Sequence, residues 1–307
     1  MTLSEVMTVT GPVRPEELGF TLIHEHIFLS LLMDHLDTNR VLDDPGAARS
    51  ELQRYKDAGG VTLVDQTNRG LEQQPEAVRR MAVETGLLIV LGCGWYREPF
   101  YDPRLYREST NQIADEMIRD VREGIDGSGV RAGIIGELGA HETWISPVEE
   151  RMLRAGARAH LQTDATIATH GLFAPVGLDQ LDILEEEGVA PGRVVVGHAH
   201  DYPEHEYHAE IARRGAFISF DGMSDRNRFL LERDLANIKR IVDAGYIDHL
   251  LLAHDVCLKS AYVSAGGDGY QFISTGLYPY LRGIGISEEQ FRHIMVDNPR
   301  RALTGED

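Results

Sequence analysis

The chain of 307 residues has only two cysteines, Cys93 and Cys257, so no disulfide framework can hold it together. Long apolar runs are missing as well. None approaches the roughly 20 residues of a membrane span, and the first ten residues lack the basic stretch and apolar core of a secretory signal. Positive charge is scarce, with 30 Lys and Arg against 49 Asp and Glu and a formal net charge of −19. That balance argues against a nucleic-acid-binding surface. No low-complexity tract or Gly/Ser linker divides the sequence, and no GxGxxG opens its first strand–helix turn. These absences lead us to expect a cytoplasmic protein with residues 1–307 in one domain, free of membrane and nucleic acid. The 42% hydrophobic content is ample for a large core.

What is present is an alternation. Short apolar, often β-branched runs at 20–24, 61–65, 87–91, 133–137, 166–170, 194–198, 216–220 and 250–254 read as strands. Amphipathic stretches at 45–58, 74–84, 111–123, 148–163, 178–187, 204–214, 228–244 and 287–302 read as helices, for example through Ile113, Met117, Ile118 and Val121. Ser287 with Gln290 is a capping-box pattern, and Gly59-Gly60 and Gly245 stand where helices should stop. Eight such units predict a (β/α)8 TIM barrel; an open doubly wound sheet is the alternative. Residues before Phe20 should cap the barrel's N-terminal end, and the long stretch from Asp255 to Ser287 should cover its mouth.

Catalytic residues of such barrels stand at the C-terminal ends of the strands. Read in order, those ends supply His24 and His26, Glu137, His170, His198 and Asp255. His24 and His26 are two apart, so on a strand both imidazoles reach one point. The set divides into two metal sites: His24, His26 and Asp255 for one ion, His170 and His198 for the other, with Glu137 bridging. Imidazole and carboxylate donors suit two divalent ions, zinc first, with manganese, iron or cobalt open. Two ions would share a hydroxide acidified towards neutrality, and Asp255 could accept its proton as general base.

At this point the residues resemble a family. His24-Glu25-His26, Glu137, His170, Gly197-His198 and Asp255 are similar to the phosphotriesterase-related branch of the amidohydrolase superfamily. So are Met7-Thr8-Val9-Thr10-Gly11-Pro12-Val13, His254-Asp255-Val256-Cys257-Leu258-Lys259-Ser260, Gly266-Gly267-Asp268-Gly269-Tyr270 and Asp297-Asn298-Pro299-Arg300-Arg301. The resemblance implies a binuclear barrel hydrolase that cleaves a carboxylic ester or lactone by attack of the metal-bridging hydroxide. Phosphodiester or phosphotriester hydrolysis and N-acyl amide hydrolysis are the alternatives. It also implies a small-molecule ester, lactone or phosphoester substrate and a homodimer. Two departures stand out. The strand-4 lysine of the best-known members is absent, and Gly136-Glu137 stands there, which places the chain with a glutamate-bridged subset. Asp221 is followed by Gly222, where many members carry His or Arg, so a proton relay through that position is not expected.

Several other residues deserve a reading. The resemblance gives Tyr96, after the third strand, a role orienting the substrate carbonyl; packing against the mouth loop is the alternative. Asp65 could brace the first histidines, and Asp201 could hydrogen-bond a ligand or relay protons; a loop or helix-capping role is the favoured reading for both. Lys259 and Arg69 are mouth-side cations expected to be solvated. His200, His205 and His208 are expected to face solvent, and His254 and Glu25 to point away from the metals. Cys257 reads as loop packing. A non-catalytic binding barrel would show lost ligands, and none is lost.

Overall fold

The computed structural model describes residues 4–33 and 36–306. Eight strands pair parallel in sequence order: β1 (Thr21–Glu25), β2 (Thr62–Asp65), β3 (Leu88–Cys93), β4 (Ile134–Gly139), β5 (Ile167–His170), β6 (Val194–Val196), β7 (Phe217–Phe220) and β8 (Leu250–Leu252). At the seam the Asp255 N–H donates to the His24 carbonyl at 3.2 Å, so the chain beyond β8 meets β1. Helices α1 (Pro45–Asp57), α2 (Pro75–Thr85), α3 (Thr110–Arg122), α4 (Pro147–Thr163), α5 (Val176–Glu186), α6 (His205–Arg214) and α7 (Arg228–Asp243) alternate with the strands. The result is the (β/α)8 TIM barrel that the alternation predicts.

Local chemistry sets the helix starts. Ser109 with Gln112, and Ser146 with Glu149, form capping boxes, and Pro147 occupies the first turn of α4 where no amide hydrogen is needed. Side-chain alternation splits the strands between two packed layers. Ile23, Val64, Val90, Ile134, Ala168, Val195, Phe217 and Leu251 fill the barrel interior, one from each strand. Leu22, Leu63, Ile89, Ile135, Ile167, Val196, Ile218 and Leu252 pack outward with the helices. A hairpin of Val6–Thr8 and Gly11–Val13 closes the N-terminal end as expected. The Val9 N–H donates to the Ile89 carbonyl at 2.9 Å, and Val6 and Leu18 plug the interior layer.

Two expectations change in detail. The helix expected over 287–302 begins with the Ser287–Gln290 capping box, but it is broken into α9 (Glu288–Arg292), a wide turn at His293–Asp297 and α10 (Asn298–Thr304); a short α8 (Tyr278–Gly283) precedes them. Pro299 has no N–H to continue the ladder, which accounts for the interruption. The long segment after β8 is not a loose cover. The Glu51 carboxylate on α1 accepts from the N–H groups of Val263 (2.9 Å) and Ser264 (3.1 Å). Asp268 accepts from the Ser224 hydroxyl at 2.6 Å, and the Tyr270 hydroxyl donates to the His26 carbonyl at 2.5 Å. Among the described residues, no helix is long and apolar enough to cross a membrane.

Candidate metal centre

One donor reaches the barrel mouth simply by staying in phase. Ala168 lies in the interior layer, so His170, two residues on, points inward too. Others need an irregularity. The register of β1 against β2 shifts between Leu22 and Glu25, which lets Ile23 pack inside while His24 and His26 also face the interior. The register of β4 against β5 shifts between Ile135 and Leu138, around Glu137. Gly136 there has φ +134°, and a Cβ on it would stand 2.3 Å from the Ala168 carbonyl oxygen, so only glycine fits. His198 and Asp255 both take left-handed backbone (φ +54° and +51°), at a cost of order 1 kcal/mol each. That is why β6 and β8 end two residues earlier than the sequence pattern suggests.

All six residues expected to bind metal come together. Glu137 is the hub. Its Oε2 lies 3.4 Å from His24 Nε2, 2.9 Å from His170 Nδ1 and 3.4 Å from His198 Nε2, and its Oε1 lies 3.5 Å from His26 Nε2. Asp255 Oδ1 is 3.1 Å from His26 Nε2 and 3.9 Å from His24 Nε2. Each imidazole turns its other nitrogen to a holder. His26 Nδ1 meets the Thr67 hydroxyl at 2.9 Å, and His170 Nε2 meets the Tyr96 hydroxyl at 3.3 Å. His198 Nδ1 and His24 Nδ1 face Asp221 at 2.8 and 3.1 Å. One nitrogen inward and one held from behind is the arrangement of metal-binding histidines.

The residues fit divalent ions by two observations. His24 Nε2 and Asp255 Oδ1 are buried with no hydrogen bond among the described residues. Two donors each about 2.1 Å from a tetrahedral ion lie roughly 3.4 Å apart, and the separations within the His24, His26, Glu137 and Asp255 cluster run from 3.1 to 3.9 Å. Close groups that could hold an ion are His24, His26 and Glu137, and Glu137, His170 and His198. His24, His198 and Asp221 also lie close together. Asp221, however, faces the rear nitrogens and already accepts from the His198 N–H at 3.0 Å, so it orients imidazoles.

Electrostatics match this division. Burial pushes the His26 imidazole down, but the adjacent Asp255 carboxylate and the charges of Glu137 and Asp65 outweigh it, raising the pKa to about 9. His24 and His198 are raised for similar reasons, by Glu137 and Asp221 for the former and by Asp221 first for the latter. His170 is lowered to about 4 by burial and the neighbouring His198, so it is neutral. Burial raises Glu137, but His24, His170 and His198 win and hold it well below the usual carboxylate range. Burial and then Glu137 lift the Tyr96 phenol far above its usual value, which keeps it protonated. Asp255 is the one member with an appreciably exposed side chain, 24% against 2–4% for the rest.

Several neighbours differ from expectation. His200 and His208 are buried rather than solvent-facing. His200 Nδ1 lies 3.3 Å from Asp221 and Nε2 3.5 Å from Asp201, while His208 Nε2 meets the Ala199 carbonyl at 2.9 Å. A Cβ at Gly222 would lie 2.3 Å from His200 Nε2, so His200 fills the space a larger residue after Asp221 would need. The glycine in the sequence carried that signal. Arg69 is not solvated but half-buried in an ion cluster with Asp120, Asp126 and Glu116, which the loop after β2 meets on and just beyond α3. Lys259 pairs with Asp43 at 3.0 Å. Glu25 points away from the donors, as expected: it accepts from the His254 N–H and Nδ1 (both 2.8 Å) and from the Val256 N–H (3.0 Å). Asp65 Oδ1 accepts from the Thr67 N–H at 3.0 Å and so braces His26 indirectly. Cys257 Sγ lies 3.8 Å from Asp255, and burial pushes its thiol up, away from nucleophilic character.

The model of the Phosphotriesterase family matches residues 4–303. The phosphotriesterase homology protein of Escherichia coli (strain K12) is 30% identical over 281 residues, covering 92% of this chain and 96% of that protein. Its crystal structure, with phosphate in the active site, aligns with a TM-score of 0.91 over 94% of this chain and 99% of that one. The N-acetyltaurine hydrolase of Tetraodon nigroviridis is 30% identical over 344 residues, with 98% of each chain covered. The crystal structure of a lactonase from Listeria monocytogenes aligns with a TM-score of 0.92 at 28% identity, covering 99% of this chain and 100% of that one.

Proposed function

The chain belongs to the phosphotriesterase family, and from that premise we propose that it is a hydrolase of carboxylic esters or lactones working with two divalent ions. His24, His26 and Asp255 would hold one ion, His170 and His198 the other, and Glu137 would contribute an oxygen to each. The observation that carries this reading is the orientation of four imidazoles, each with one nitrogen towards Glu137 and the other held from behind. Zinc is the first expectation for such nitrogen and oxygen donors. Bound there, the ions would supply Lewis-acid polarisation of the substrate carbonyl and a water acidified towards neutral pH.

The chain's own residues do the rest. Asp255 is exposed enough to meet the reacting water, and its carboxylate accepts the proton released as that water attacks. Tyr96 orients the carbonyl. If His170 gives Nδ1 to an ion, its Nε2–H donates to the Tyr96 oxygen, which leaves the phenolic hydrogen for the substrate oxygen. The likeness to the Listeria monocytogenes lactonase along the whole chain supports a lactone or ester. Similarity to an N-acetyltaurine hydrolase at 98% coverage supports a second reading, an N-acyl amide, on the same centre.

A panel of lactones, aryl esters, N-acyl amino acids and phosphoesters tests the choice, with metal content measured in the same preparation. Lactones and aryl esters should give the highest kcat/KM, chelation should abolish turnover, and added zinc should restore it. Preference for N-acyl substrates would move the assignment to the second reading. Protein that takes up no divalent metal would overturn both.

A further inference from the structure

We propose that a cavity between the loops after β3 and β4 binds an organic ammonium group, separately from the metal centre. The cavity, of about 360 Å³, is lined by residues that include Glu98, Tyr101, Tyr106, His141, Glu142 and Trp144, and no Lys or Arg lines it among the described residues. Tyr106 and Trp144 leave 51% and 56% of their surface in water, unusual for large aromatics in this chain. The Tyr106 hydroxyl donates to Glu98 at 3.0 Å, which fixes ring and carboxylate together. Tyr101 is 7% exposed, and its hydroxyl has no partner among the described residues. An ammonium group would set its positive charge against that unpartnered oxygen.

The floor is rigid and the charge is right. The buried Glu149 accepts from the N–H groups of Glu98 (3.2 Å), His141 (2.7 Å) and Ser146 (3.0 Å), tying the two loops to one carboxylate. Arg97 donates to His141 Nδ1, so that nitrogen is an acceptor. Aromatic faces beside carboxylates, with no cation among the lining residues, favour a positive guest over a neutral one. The cavity also adjoins the metal centre. The Arg97 guanidinium lies 5.0 Å over the Tyr96 ring, and Tyr96 reaches His170. The guest is therefore either the ammonium-bearing tail of a substrate or a free amine.

Trp144 is one of only two tryptophans, and the other, Trp95, is buried. Titration of the full chain with tetramethylammonium and with choline should give saturable changes in tryptophan fluorescence. The neutral analogue 3,3-dimethylbutan-1-ol should give none at equal concentration. By calorimetry, Trp144→Ala and Glu98→Gln should each weaken choline binding about tenfold. Trp144 is exposed, so its replacement should leave Tm unchanged. Equal binding of the neutral alcohol, unchanged affinity in both variants, or no saturable ammonium binding would overturn the assignment. Two aryl esters that differ only in a trimethylammonium or tert-butyl tail separate the sources. A lower KM for the cationic ester marks a substrate subsite; equal KM values with choline still bound mark a free-amine site. The binding arms do not depend on which bond is cut.

Discussion

At Asp221 a single carboxylate receives the His198 backbone N–H and stands 2.8–3.3 Å from the Nδ1 atoms of His24, His198 and His200. It touches no substrate, yet it aims one imidazole of each proposed ion. Asp221→Ala should therefore weaken metal binding by about 10–100-fold, measured by competition with a chromogenic chelator; unchanged affinity would remove its orienting role. Glu137 makes a different demand. Without it the second ion would keep only His170 and His198, so Glu137→Ala should retain at most one tightly bound ion per chain by elemental analysis. Two retained ions would show that the bridge lies elsewhere.

Among the elements, legibility followed phase. His170 could be read at a strand end because it continues the inward alternation from Ala168. Glu137 and His198 are inward only through a register shift and a left-handed residue, which no two-residue period encodes. Their chemistry at the end of an apolar run is what makes them legible. The burial of His200 is hidden for a related reason: a short turn, Ala199–Asp201, folds back into the barrel and places it against Asp221. The segment after β8 is legible as long, but not as pinned, because its anchor Glu51 lies more than 200 residues away in sequence. Glu51→Ala should free that segment from α1, costing about 1–2 kcal/mol since the two amides are partly exposed. Hydrogen exchange at Val263 and Ser264 should accelerate while metal stoichiometry holds. Unchanged exchange would show that other contacts fix the segment.

For the whole molecule, the mouth couples stability to pH. In the metal-free protein His26 titrates near 9 rather than 6.5. A raised folded-state pKa stabilises fully below the unfolded value and loses that contribution as pH rises through the folded one. Calorimetry of chelator-treated protein should thus show Tm falling from pH 6.5 to 9. Over the same window apparent metal affinity should rise, because fewer protons compete for the imidazoles. A Tm that is flat or rising would indicate that the carboxylates do not hold His26 protonated.

The seam where the Asp255 N–H meets the His24 carbonyl, and Glu25 grips His254 and Val256, also sets an order of events during synthesis. Glu137, His170 and His198 have all left the ribosome long before Asp255. A nascent chain could cradle the second ion while the first still lacked its last donor, and only the joining of the two chain ends would complete that site. Occupancy of the first ion would then report that the barrel has closed.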